Sequence, residues 1–422
     1  MYKLYRFRNG LKLLSVPYKA TQAICVLVLV KVGSKYEKKE INGISHFLEH
    51  MLFKGTKKRP SQKEVAEVLD KIGGNYNGFT SEEYTGYYAK VSREHLETAI
   101  DWVADIFLNS LIPEKEVDKE RNVILEELNM YKDNPMAEVH RLWKKLLYGD
   151  QPAGWDIIGT KESLRKIKRE GLLNFMRKNY LAKNTLICLA GNFQEGKIKE
   201  LITKYFSKIQ NGKPPKKAKV IEKQKSPQLL LQKRDTQQTH LCIGVRSFSL
   251  LDKRKYPLSL LASILGGMMS SRLFLEIREK RGLGYYLSTN YEADPDTGYL
   301  STLLGVDNQR VEEATRIVLK EYKKVREKGV SKEELEKAKE YQKGRMALSL
   351  ESSDAQAFFY GVQYVLQNKI NTIKEIYKKI DKVEKSDILK VAREIFVPEK
   401  LNLVILGPHK NKNKFLKILK NF

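Results

Sequence analysis

Apolar positions along the 422-residue chain follow two rhythms, short continuous runs and stripes spaced three and four apart. Residues 2–7 and 11–16 alternate on either side of Asn9-Gly10, which predicts a β-hairpin closed by a type I′ turn with both central residues at positive φ. The run 23–32 reads as a buried strand. Residues 43–53 are apolar at Ile44, Phe47, Leu48, Met51 and Leu52, an amphipathic helix stopped at Gly55. Ser61-Gln62-Lys63-Glu64 is a capping box, opening a helix that reaches Gly73-Gly74. Residues 75–91 are expected to be extended. Helices are predicted over 93–108, 114–131 and 136–148, the second entered through Pro113, then a strand over 185–190 and a helix over 197–208.

Residues 212–227 interrupt this pattern. Gly212, Pro214, Pro215 and Pro227 bracket a lysine-rich stretch without apolar periodicity, expected to be a solvated basic linker. Beyond it the order repeats, with an apolar strand over 240–245 and a helix over 256–265. Residues 306–314 parallel 91–99, and 334–337 parallel 116–119 at nearly the same offset. The expected fold class is α+β, two duplicated halves with an antiparallel or mixed sheet packed with helices in each. The expected divisions are 1–211, the linker 212–227 and 228–422.

Charge changes the picture only at the margins. Lys and Arg total 78 against 51 Asp and Glu, a net +27 that raises the question of a nucleic-acid partner. The basic residues are spread over the whole chain, and no zinc finger, aromatic RNA-recognition motif or phosphate loop accompanies them, so no nucleic-acid partner is expected. The longest early apolar run, 23–30, is far below the roughly 20 residues that span a bilayer, and residues 1–6 lack the apolar region expected of a secretory signal. No membrane association and a cytoplasmic location are expected. Cys25, Cys188 and Cys242 all sit in apolar runs, which argues against a disulfide scaffold or a cysteine metal site.

The chemistry concentrates at His46-Phe47-Leu48-Glu49-His50. On a helix His46 and His50 project from one face, close enough to share a cation, and Glu49 borders that face. Chance would produce this pattern about once in a hundred chains of this composition. Zinc in a catalytic site takes three protein ligands and keeps one position open, so a third ligand must come from elsewhere. The helix 114–131 offers Glu120 and Glu127 on one face, with Glu126 adjacent, and spacing alone does not choose among them.

With its flanks Gly43-Ile44-Ser45 and Met51-Leu52-Phe53-Lys54-Gly55-Thr56, this segment resembles the pitrilysin (insulinase) family of zinc metallopeptidases, in its half-length branch of processing peptidases. The resemblance runs over both halves and implies a fold like that of the mitochondrial processing peptidase. It implies one zinc per chain held by His46, His50 and Glu127, with Glu49 as the general base and Glu120 supporting a ligand from behind. The same likeness makes residues 1–211 the zinc-binding catalytic domain and 228–422 a metal-free substrate-binding domain. Gly73 to Ser81 resembles the family's substrate-holding edge strand, placing Asn77 on peptide backbone, with Gly78 where Ala is usual. Arg278 and Tyr285, seven apart, match its arginine–tyrosine pair for substrate and the developing oxyanion. The implied function is a zinc endopeptidase cleaving unfolded peptides in an enclosed chamber formed by a homodimer, the pair coming from the subunit opposite the metal. The basic charge disfavours Arg-rich presequences and favours small unfolded peptides as substrates. The competing expectations are a non-catalytic partner subunit of a related peptidase and a basic nucleic-acid binder.

Overall fold

In the computed structural model, which describes residues 2–422, the opening hairpin pairs β1 (Lys3–Arg6) with β2 (Lys12–Pro17). Its turn is not type I′. Gly10 alone takes positive φ, +90°, while the Phe7 N–H bonds the Leu11 carbonyl and the Gly10 N–H bonds that of Phe7. The loop is longer than two residues, so one left-handed glycine suffices. β3 (Ala23–Val30) is the apolar run. The stretch 75–91 is a second hairpin, β4 (Asn75–Thr80) and β5 (Thr85–Ser92), turned at Ser81, whose hydroxyl accepts from the Glu83 and Tyr84 N–H groups. With β6 (Thr185–Gly191) these strands form a sheet of order β1-β2-β6-β3-β5-β4, leaving β4 at one edge.

The second sheet contains β7 (Gln228–Lys233), β8 (Gln238–Arg246), β9 (Gly284–Asp294), β10 (Thr297–Asp307) and β11 (Leu401–Gly407), in the order β7-β11-β8-β10-β9. This is the order of the first sheet strand for strand, β1 being an addition. Parallel pairing falls at the same place in both, β2 with β6 and β7 with β11. The repeat between 91–99 and 306–314 is the junction at which β5 and β10 each lead into a helix, Leu96–Asn109 and Val311–Lys328. The α+β class and the duplication are both present.

The compact units are not the two contiguous stretches 1–211 and 228–422. The first comprises the chain up to Asn129 with Trp155–Ala218 and Ala347–Ile370; the second comprises Met130–Gly154, Lys219–Met346 and Asn371–Phe422. Each sheet is apolar on both faces, because alternate strand residues point opposite ways and both sets are hydrophobic. In the first unit the helix Ser353–Gln367 sets Ala357, Tyr364 and Val365 against Leu14, Cys25, Leu27 and Cys188. In the second unit the helix Pro135–Tyr148 sets Val139, Leu142 and Trp143 against Cys242, Val404 and Leu406. A helix encoded in each half therefore serves the sheet of the other.

The segment 212–227 has no regular structure. Lys217 ion-pairs with the buried Glu83, which also binds the buried Lys35 at 3.1 Å. Gln224 bonds the Leu401 carbonyl at 3.0 Å and accepts from Arg246 Nε at 2.8 Å, and Glu222 accepts from Thr297 at 2.5 Å. It is a largely exposed connection, pinned at a few points by these bonds. Lysine density marks the chain as polar but cannot tell a free ammonium from one with a buried carboxylate waiting for it. Among the described residues no helix is long and apolar enough to cross a membrane.

The remaining face of the first sheet carries the larger core of its unit. Leu13, Ile24, Val26 and Val28 pack there with Phe47, Leu48, Ile124 and Leu128, fixing the helices Ile44–Met51 and Glu114–Asp133. The exchanged helix over the opposite face gives a direct test of its fit. A Cβ on Gly361 would lie 3.0 Å from Leu29 Cδ1 and 3.3 Å from Cys188 Cβ. Gly361→Leu is expected to lower unfolding stability by ~1–3 kcal/mol through overpacking, read as a reduced urea midpoint, with Gly361→Ala nearer wild type.

Candidate metal centre

The histidine helix Ile44–Met51 is short and almost wholly buried, so its N-terminal N–H groups need partners inside the protein. Gly43 precedes it at φ +95°, and a Cβ there would fall 2.3 Å from the Ile158 carbonyl oxygen, so glycine is required. No side chain of the capping position closes the helix. Instead the Glu37 carboxylate accepts from the Gly43 N–H at 2.7 Å, the Ser45 N–H at 2.8 Å and Asn42 Nδ2 at 2.8 Å. Burial raises the Glu37 carboxyl to about 7, against the pull of these donors. Ile44, Phe47, Leu48 and Met51 face the core, which turns His46 and His50 toward the acidic helix Glu114–Asp133. That helix is held by buried Val117, Ile124 and Leu128. It is also held by Arg121, whose guanidinium donates to the Leu164 carbonyl at 3.0 Å and the Ile167 carbonyl at 2.6 Å.

Three donor atoms converge between the two helices. His46 Nε2 and His50 Nε2 are 3.3 Å apart, and Glu127 Oε2 lies 3.6 Å from the first and 3.5 Å from the second. Tetrahedral zinc with bonds of about 2.0–2.2 Å separates its ligand atoms by about 3.3–3.6 Å, so the triangle has the dimensions of three corners of that site. Among the described residues this is the one group of three His, Cys, Asp or Glu side chains with ligand atoms so close. Spacing in the sequence left Glu120, Glu126 and Glu127 open; the geometry places Glu127 in the triangle and Glu120 behind it. Glu120 Oε1 is 2.7 Å from His50 Nδ1, so the ring donates its Nδ1 proton to the carboxylate and Nε2 is left facing the triangle.

Electrostatics in the cluster are those of two imidazoles competing for one proton. Burial and the neighbouring His50 push His46 down to about 4. Burial also works against charge on His50, but its bonds to Glu120 and Glu127 raise it to about 9. Glu120 and Glu127 are both held below the usual carboxylate range by those bonds, against burial. His46 Nδ1 is buried without a partner.

Glu49 borders the triangle, is 9% exposed, and accepts from Thr80 Oγ1 at 2.6 Å. Burial raises its pKa, and the Thr80 bond opposes the rise. Gly78 on β4 lies so close that a Cβ would meet Glu49 Cγ at 2.8 Å, which accounts for glycine at this position. Asn77 is exposed on the same edge strand, its Oδ1 accepting from the Gly78 N–H at 2.8 Å. In the second unit Arg278 lies between two rings, 5.0 Å from that of Phe274 and 5.1 Å from that of Tyr285. It is carried on a π-helical stretch, Phe274–Glu279, and Tyr285 is 77% exposed. His240 and His409 make single local bonds, to Tyr286 and Thr239.

Three supporting residues escaped the sequence reading. Lys54 bonds Glu120 Oε2 at 2.5 Å, and its place four residues after His50 was a usable signal. Thr80 and Glu37 reach the site by tertiary folding and left none. Glu37 is nonetheless testable without touching a ligand. Glu37→Ala orphans two buried N–H groups and is expected to cost ~1–3 kcal/mol in urea unfolding, with Glu37→Gln, which keeps one acceptor oxygen, falling between.

Residues 13–161 match the model of the insulinase family, peptidase family M16, and residues 166–341 match the model described as the peptidase M16 inactive domain. The chain is 36% identical to an uncharacterized zinc protease, YmxG, of Bacillus subtilis, over 97% of this chain and 99% of that one. The crystal structure of a protease from Helicobacter pylori superposes with a TM-score of 0.91 at 25% identity, covering 97% of this chain and 99% of the other. A chain of Complex III2 from Candida albicans shares the fold alone, with a TM-score of 0.85 at 18% identity over 99% of both chains.

Proposed function

Since the chain belongs to the insulinase (M16) family of peptidases, we propose that it is a zinc-dependent endopeptidase acting on unfolded peptides. The observation that carries this reading is the triangle of His46 Nε2, His50 Nε2 and Glu127 Oε2, with the Glu49 carboxylate beside it. Relatives named as zinc proteases support the choice of metal. Zinc bound there supplies Lewis-acid polarisation of the peptide carbonyl and a water of lowered pKa.

The chain's own residues divide the remaining work. Glu49, oriented by Thr80, takes the proton of the attacking water and returns it to the leaving amine. Glu120 holds His50 in the tautomer that presents Nε2. The free edge of β4, with Asn77 on it, takes a peptide as an added strand through main-chain bonds, which demand extended conformation and little sequence. Arg278 and Tyr285 donate to the substrate backbone and to the developing oxyanion. Their role is supported by the pairing of the guanidinium with the phenol ring. A homodimer enclosing a chamber, each metal facing the pair of the other subunit, completes the reading. A scaffold subunit is the weaker alternative, because scaffolds need no ligand triangle and this one is intact.

The test is hydrolysis of an unstructured quenched-fluorescence peptide by the full chain. Wild type is expected to cleave, to stop after chelation and to recover with zinc. Glu49→Gln is expected to keep one zinc per chain and lose about 10²-fold or more in kcat. Zinc-loaded wild type that cleaves nothing, or Glu49→Gln that turns over normally, would overturn the assignment.

A further inference from the structure

His46, His50 and Lys54 succeed one another at intervals of four, and the turn that continues the histidine helix keeps the third on the side of the first two. Lys54 is largely buried, its side chain 12% exposed, and its Nζ lies 2.5 Å from Glu120 Oε2 and 3.0 Å from Gln62 Oε1. The other Glu120 oxygen is the one bonded to His50 Nδ1, at 2.7 Å. Glu120 is thus gripped at both oxygens, by an ammonium on one and an imidazole on the other.

We propose that Lys54 is a positioning residue for the metal centre, locking the rotation of the Glu120 carboxylate so that His50 presents Nε2 to the ion. This rests on the metal reading of the triangle. The terminal torsion of a glutamate is broad and nearly free, so a single bond to His50 would leave Glu120 able to swing and the ring to tilt with it. A second bond on the far oxygen removes that freedom, and Gln62 in turn fixes the ammonium. Charge points the same way. Glu49, Glu120 and Glu127 gather three carboxylates at one place, and among the described residues Lys54 is the one Lys or Arg ion-paired with any of them. Three carboxylates and one ammonium leave two negative charges, the complement of a divalent cation. Without Lys54 the cluster would carry three, and the excess would favour stray protons and disordered geometry over a defined zinc site.

Chelator competition on the full chain tests this by zinc affinity, independently of turnover. Lys54→Met is expected to weaken zinc binding about tenfold, the lower end of what partners behind a metal ligand contribute, and Lys54→Arg to recover most of it. Because Lys54 acts through Glu120, the double variant Lys54→Met/Glu120→Gln should bind zinc within about twofold of Glu120→Gln alone. Wild-type affinity in Lys54→Met, or losses that multiply in the double variant, would overturn the proposal. Thermal unfolding of the zinc-free proteins separates folding defects, and Lys54→Gln, which keeps a donor without charge, substitutes if Lys54→Met does not fold. Glu127→Ala is the control for the underlying reading. If it leaves zinc affinity unchanged the triangle is not a metal site and both readings fall, whereas loss there with none in Lys54→Met sinks the positioning role alone.

Discussion

Polar groups can be carried inside a protein only if each finds a partner there, and the first unit is organised around that constraint. Its histidine helix lies in an apolar core, yet it bears two imidazoles and a carboxylate and has an N-terminus that water does not reach. Glu37 answers the N-terminal amides, Thr80 answers Glu49, and Glu120 answers His50. What is left over is a triangle of ligand-type atoms, His46 Nε2, His50 Nε2 and Glu127 Oε2, gathered within 3.6 Å of one another.

The duplication shows what such a site needs beyond its ligands. Both sheets have the same strand order, and both lead from their fourth equivalent strand into a long helix. The second unit has the frame without a histidine pair, and its distinctive residues are displayed outward: an arginine between two rings and an exposed tyrosine. The π-helical winding beneath Arg278 is a local departure of the kind often found where a helix has been adjusted to aim a side chain.

Much of this was legible in the chain. The histidines at i and i+4 with an adjacent glutamate mark a candidate metal site because helical periodicity is a local property. The capping box at Ser61 is present with both its bonds for the same reason. Glu127 was not resolved from its neighbours by spacing, since which of several carboxylates reaches a site depends on how two helices pack. The hairpin at Asn9-Gly10 shows the converse error: the dipeptide announces a turn, but the loop length that decides its type is set by strand pairing. The few anchors of the lysine-rich segment left no local signal because their partners are distant in sequence, Glu83 most of all. The apolar stripes on Pro135–Tyr148 and Ser353–Gln367 declare that something covers them and are silent about what.

That silence hides the exchange of those two helices, and the exchange bears on how the chain can have arisen and how it can be cut. A polypeptide ending within 212–227 would keep Leu14, Cys25, Leu27 and Cys188 on its first sheet while losing the helix that shields them. It would be a sticky fragment and not a free-standing domain. Two copies of a single ancestral half could have shielded one another only by trading that helix, as domain-swapped dimers do. Carried on one chain, the exchange is intramolecular, and each half completes the sheet of the other.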